Sequence, residues 1–151
     1  MPATQIDARG WIFQVESSTP NTWLGIGGVT EFSIDRSENE EEFDTTTFDS
    51  GGWYESEAAQ RGAICELTYR EKRDAGVLDS GQARMYAVAK LVGPDSLVRF
   101  RFRHTTQTGA SAWEVWSAWC GLGEASGEVN DKTESEATWH LSGAPTYMAL
   151  V

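Results

Sequence analysis

The segment Leu97-Val98-Arg99-Phe100-Arg101-Phe102-Arg103-His104 alternates apolar and cationic side chains without a break. Successive side chains of a strand point to opposite faces, so Val98, Phe100 and Phe102 share one face while Arg99, Arg101 and Arg103 share the other. The segment is therefore a strand with one face in a core, and that core is built on aromatic rings. After it, Thr105 to Ala110, containing Gly109, makes a hairpin loop. Trp113 to Cys120 returns as an aromatic strand with Trp113, Val115, Ser117 and Trp119 on one side. Nearer the C-terminus, Thr133, Ser135, Ala137, Trp139 and Leu141 alternate with Lys132, Glu134, Glu136, Thr138 and His140, again one dry face and one wet.

Upstream of the arginine strand the period changes. Over Ser80 to Leu91 the residues Met85, Val88, Ala89 and Leu91 fall on one helical stripe, with Asp79 or Ser80 as N-cap and Gly93-Pro94 as the stop. This predicts one helix, at about 80–92. Earlier still, Ala63 to Arg70 alternates as a half-buried strand, and Trp11-Ile12-Phe13-Gln14-Val15-Glu16 forms the first strand. Trp23-Leu24-Gly25-Ile26 and Val29 to Asp35 read as a strand pair broken by Gly27-Gly28. The predicted fold is mostly β, one domain over 1–151: an antiparallel β-sandwich or open barrel with one flanking α-helix.

Between Arg36 and Gly52 the alternation vanishes. Ser37-Glu38-Asn39-Glu40-Glu41-Glu42 is an acidic run, and Phe43-Asp44-Thr45-Thr46-Thr47-Phe48-Asp49-Ser50-Gly51-Gly52 has no face to bury, which predicts a long loop at about 37–52. A charge run is ordinarily a solvated loop. Phe43 and Phe48 add nothing to such a loop, however, and point to docking on a partner. Trp53 to Gln60 follows as an extended arm.

Twelve basic residues against 23 acidic give a formal charge of −11, the wrong sign for a protein that grips duplex DNA by neutralising phosphates. No apolar run is long enough to cross a bilayer, and Met1-Pro2-Ala3-Thr4-Gln5 lacks the blocks of a signal peptide, so the expectation is a protein made in the cytoplasm that engages no membrane. Cys65 and Cys120 suit small buried packing residues; a single bridge is the alternative. His104 and His140 have no partners at metal-ligand spacing, and Gly25-Ile26-Gly27-Gly28 lacks the lysine and helix of a phosphate loop. No cofactor and no enzymatic activity are expected. Seven tryptophans and the carboxylates Glu114, Glu134 and Glu136 leave a sugar-binding β-sandwich as the rival reading, although aliphatic partners on alternating faces favour packing roles.

Four segments in order carry a resemblance: Gly10-Trp11-Ile12-Phe13-Gln14-Val15; Gly27-Gly28-Val29-Thr30-Glu31-Phe32-Ser33; Glu42 to Trp53 with its Asp44-Thr45-Thr46-x-Phe48-x-Ser50-x-Gly52 pattern; and Ser142-Gly143-Ala144-Pro145. Asp79-Ser80-Gly81-Gln82-Ala83 at the helix start adds to it. Together they resemble the major tail protein, or tail tube protein, of long-tailed bacteriophages. The three-arginine strand and the Trp113, Trp116 and Trp119 cluster depart from that pattern. The resemblance implies a β-sandwich flanked by a helix, in hexameric rings that stack into a tube through which DNA passes without sequence-specific binding. Partners would be further copies of the chain and tail proteins such as the tape-measure and terminator proteins; the location would be the virion tail, after assembly in the host cytoplasm. It also implies that the loop carrying Glu40, Glu41, Glu42, Phe43, Asp44, Thr45, Thr46, Thr47, Phe48 and Asp49 docks on an adjacent ring. Glu134 and Glu136 are then candidates for the lumen, and Arg99, Arg101 and Arg103 for a subunit interface.

Overall fold

The computed structural model describes residues 3–150; Met1 and Pro2, the first residues of the N-terminal stretch read as lacking signal-peptide blocks, and Val151 lie outside the described residues. Twelve strands and one α-helix follow in chain order: β1 (Trp11–Glu16), β2 (Trp23–Gly25), β3 (Val29–Asp35), β4 (Glu41–Asp44), β5 (Ser56–Gln60), β6 (Ile64–Arg70), β7 (Arg73–Asp74), β8 (Val77–Leu78), α1 (Ser80–Val88), β9 (Val98–His104), β10 (Trp113–Ser126), β11 (Glu134–Leu141) and β12 (Thr146–Met148). One large sheet runs in the order β2-β1-β9-β10-β11-β6-β3, and β12 pairs with the start of β10. All of these pairs are antiparallel.

The sheet curls, because its inner face is aromatic and has to be covered. Phe32 on β3 lies 5.4 Å from both Trp11 and Phe13 on β1, so strands near opposite ends of the sheet order meet across the interior. The result is an open barrel. At its centre Phe100 stacks on Trp139 at 4.7 Å and 8°, and Phe102 meets Trp116 edge-on at 5.3 Å. Val98, Phe100 and Phe102 thus face the core with Trp139 and Leu141, as their alternation predicts.

Helix α1 closes one flank. Its N-cap is Asp79, whose carboxylate accepts from the Gln82 amide and from the Gly27 amide at 3.1 Å. Gly81 sits against the carbonyl of Gly25, where any Cβ would collide with backbone. Gln82 is fully buried and ties three segments together: its side-chain amide donates to the carbonyls of Gly27 and Arg70 at 2.8 and 2.9 Å, and its oxygen accepts from the Lys72 amide. The helix stops at Val88, short of the expected 92. Leu91 is exposed and adds nothing to the buried stripe, and Gly93 at φ 69 opens a 3-10 turn over Gly93–Ser96.

Two further expectations are corrected. Segments 23–26 and 29–35 are not a pair: β2 joins β1 and β3 joins β6, at opposite edges of the sheet, and Gly28 at φ 76 steers the chain across between them. Nor is 37–52 an open loop. Its first half is β4, paired antiparallel with β5, and Phe48–Ser50 forms a 3-10 turn at the tip. Periodicity missed the hairpin because every residue of β4 and β5 is exposed, so no alternation is imposed by burial. The short β7–β8 hairpin, turning at Ala75-Gly76, and the three-residue β12 carry too few residues to show a period.

Both cysteines are buried and free. Cys120 and Cys65 both pair in register with Trp139, one on each side. They therefore lie two strands, roughly 9–10 Å, apart, beyond the reach of about 7 Å that a bridge allows. Burial raises the thiol of Cys120 to about 12 and pushes that of Cys65 higher still.

Candidate assembly surfaces

Three surfaces stand out. The first is the β4–β5 arm, which continues the β3–β6 strand pair beyond the barrel. Its tip is locally well defined: Thr47 and Ser50 form a reciprocal capping box, Gly51 and Gly52 take positive φ, and Thr46 bridges to Glu55 through both its hydroxyl contacts. On this frame Phe48 stands fully in solvent, with Phe43, Trp53 and Tyr54 also exposed. Tyr54 donates to Glu42 at 3.0 Å, and Glu40 makes a loose 3.4 Å pair with Arg61. Asp44 accepts from the Thr46 amide, which lowers its pKa. Sequence places Trp53 and Tyr54 in an extended arm; that they join Phe48 as exposed aromatics of the same hairpin is signalled by three aromatics within seven positions.

The second surface is the outer face of β1, β2, β9 and the first half of β10. Arg101 is sandwiched between Trp23 and Trp113, at 4.1 and 4.0 Å from the two ring centroids, and donates through Nε to Gln14 at 2.8 Å. Arg99 pairs with Glu16 and Asn21 and lies over Trp23; Arg103 lies over Trp113 and donates to the carbonyls of His104 and Gln107. Burial, then the neighbouring Arg99 and Arg103, lowers Arg101 to about 10. The hydrogen bond from Arg99 holds the Glu16 carboxyl below its usual value. Arg99 is thus met by a carboxylate of its own chain, whereas Arg101 and Arg103 have none within ion-pair distance among the described residues. Sequence reasoning singled out the arginines but missed Trp23, Gln14 and Glu16, whose approach depends on the β1–β9 register.

The third surface is the outer face of β3, β6 and β11. Glu134 lies opposite Arg70 and Glu136 opposite Thr68, both exposed, while Ser135, Ala137 and Trp139 are buried as their alternation predicts. Glu31, across from Thr68, and Glu66, across from Ser33, extend the same acidic face. The structure brings neither Glu134 nor Glu136 near the arginine strand, since β10 and the sheet's curl separate them.

At the root of the arm a cavity of about 460 Å³ opens between Arg36, Arg61, Ala63, Leu141, Ala144 and Pro145. Arg36 at its rim pairs with Glu114 at 2.7 Å, an ion pair that raises the arginine's pKa and fixes a carboxylate that also accepts from Trp116 Nε1. No cluster of three metal-ligating side chains occurs among the described residues, and none of their helices is long and apolar enough to cross a membrane. The tryptophans do not form the open row a sugar platform requires. Trp116 and Trp139 are in the core with Trp11 packed against it, Trp23 and Trp113 flank Arg101, His140 stacks on the half-exposed Trp119 at 3.8 Å, and Trp53 stands alone on the arm.

No known protein-family profile matches the sequence, and no curated protein matches it. Solved structures do. A chain from the tail of an empty gene transfer agent particle, refined with C6 helical symmetry, aligns with a TM-score of 0.70 at 15% identity, covering 96% of this chain and all of the other. One from the virion of the native gene transfer agent particle gives 0.73 at 15% identity with the same coverage. The SPP1 tail tube gives 0.67 at 13% identity, covering 96% of this chain and 81% of that one. Over nearly its whole length, therefore, the chain has the fold found in a gene transfer agent tail and in the SPP1 tail tube.

Proposed function

We propose that this chain is the subunit of a phage-type tail tube, a single tail-tube domain whose copies form hexameric rings that stack around a channel for DNA. The end-to-end match to chains from assembled tails, one of them with sixfold symmetry, carries the reading. On it the arm is the contact between rings, with Glu40 to Asp49 as its docking segment and Phe43 and Phe48 as anchors. The acidic face bearing Glu134 and Glu136 lines the channel, where carboxylates repel phosphate and let DNA slide. Arg99, Arg101 and Arg103 contribute to contacts between subunits, Arg101 and Arg103 being those free to meet a neighbour's carboxylates. Tape-measure and terminator proteins complete the tail, in the virion. The part played by the chain is mechanical, with no catalysis.

Electron microscopy and sedimentation across a concentration series test this. Tubes or rings with sixfold symmetry that appear above a threshold concentration are the expected result. A protein that stays monomeric at every concentration would overturn it.

A further inference from the structure

We propose that the aromatic tip of the arm seats in the cavity at the root of the arm on a second copy of this chain. The inference rests on the tube reading and names the receiving site for the arm. The occupant is chosen by three observations. First, Phe48 is fully exposed and Trp53 nearly so, on a tip that a capping box and two left-handed glycines hold in shape. A pre-shaped apolar knob loses little freedom on docking, so it suits a preformed hole. Second, the cavity is walled by Ala63, Leu141, Ala144 and Pro145, and at about 460 Å³ it has room for an aromatic side chain and its neighbours. Third, one rim charge is available to the knob. Arg36 is taken by Glu114, which also lines the cavity, but Arg61 is 75% exposed and holds Glu40 only loosely at 3.4 Å, and Asp44, Asp49 and Glu55 flank the knob.

A chain cannot fill its own cavity. From Glu41, paired at the root with Gln60, to Phe48 the arm runs out into solvent. At about 3.3 Å per strand residue that places the knob on the order of 20 Å away. The contact must be made between copies. Knob and hole are different patches, so the contact is heterologous; such a contact runs on from copy to copy wherever its rotation does not close into a ring, and on the tube reading it is the contact that runs along the stack.

The test compares critical concentrations for tube formation of wild type, Phe48→Ala and Ala144→Trp, the last filling the hole. Both positions are exposed, so the monomer's fold, checked by circular dichroism, should be unchanged. Each substitution is expected to raise the critical concentration by about tenfold or more, as for loss of an interface anchor. In mixed tubes, chains carrying Asp49→Cys and chains carrying Ala144→Cys should cross-link into covalent dimers under a short bismaleimide, and tubes of either alone should not. If wild type forms tubes while Ala144→Trp assembles normally, or the mixed tubes give no dimers, the cavity is wrong and the tube reading stands. If wild type forms no tubes, both fall.

Discussion

Replacing Gln82 by Leu should cost more than any other polar-to-apolar change in the molecule, although the volume is nearly kept. Three backbone groups depend on this one side chain: the carbonyls of Gly27 and Arg70, held at 2.8 and 2.9 Å, and the amide of Lys72 at 3.1 Å. Gln82 itself is wholly buried, so leucine would not be refused for want of apolar surroundings; the loss falls on its partners. An orphaned buried donor or acceptor costs about 1–3 kcal/mol. Taking the lower part of that range, since the loop at Gly27 can admit some water, the three together give about 3–6 kcal/mol. Urea unfolding followed by tryptophan fluorescence measures this, with an unchanged m-value showing that the two end states are the same. A loss under about 1 kcal/mol would refute the claim that this amide joins α1, β6 and the β2–β3 crossing, because water would then satisfy the same groups at no cost.

Phe100→Ala should destabilise by about 3–5 kcal/mol, the usual cost of deleting a buried ring, read by the same titration; a near-neutral result would mean the strand's faces are reversed. Glu16 has a lowered carboxyl pKa through Arg99, so the stability it contributes is present above the ordinary carboxylate range and is lost as pH falls through the lowered value. Glu16→Gln should flatten that part of the acid-unfolding curve, and an identical curve would dismiss the pair. Glu134→Lys with Glu136→Lys, on the proposed tube, should leave assembly intact and slow DNA passage in a salt-sensitive way; normal ejection at low salt would place this face elsewhere.

What could be seen in the sequence was whatever burial writes into it. The dry faces of β9 and β11 alternate because one side of each strand meets the aromatic core, and Val98, Phe100, Phe102, Ala137 and Trp139 all lie where their period puts them. In β10 the core takes Trp116, Ala118 and Cys120 rather than the side of Trp113, Val115, Ser117 and Trp119, because Trp113 and Val115 are buried on the other face and blur the period. Asp79 and Gln82 were legible as a helix start, though nothing local reveals that Gln82 reaches Arg70 and Lys72. Where burial is missing the sequence is silent. The β4–β5 arm forms through backbone pairing alone, with its side chains in solvent, and so it resembles a loop. Sheet order is silent too. Gly27-Gly28 marks a break equally well whether the chain turns back on itself or crosses to the far edge, and only the meeting of Phe32 with Trp11 and Phe13 decides it. The Arg101 sandwich likewise needs Trp23 and Trp113 from strands about 90 residues apart to reach one guanidinium.

The curl of the sheet also sorts its charges. Outer faces of opposite walls of a barrel point away from each other, so the acidic face of β3, β6 and β11 and the cationic face of β1 and β9 cannot both line one channel. The arm links this to assembly, because β4 and β5 prolong β3 and β6. If the arms join one ring to the next on the proposed tube, the strands that carry the arms run with them along the stack, and the wall they belong to is the acidic one. That wall offers Glu31, Glu66, Glu134 and Glu136 against Arg70, an excess of negative charge repeated in every copy. On the same proposed tube the arginines, Arg101 between two indole rings and Arg99 and Arg103 each over one, would be turned from the channel, where their repetition would hold DNA rather than release it.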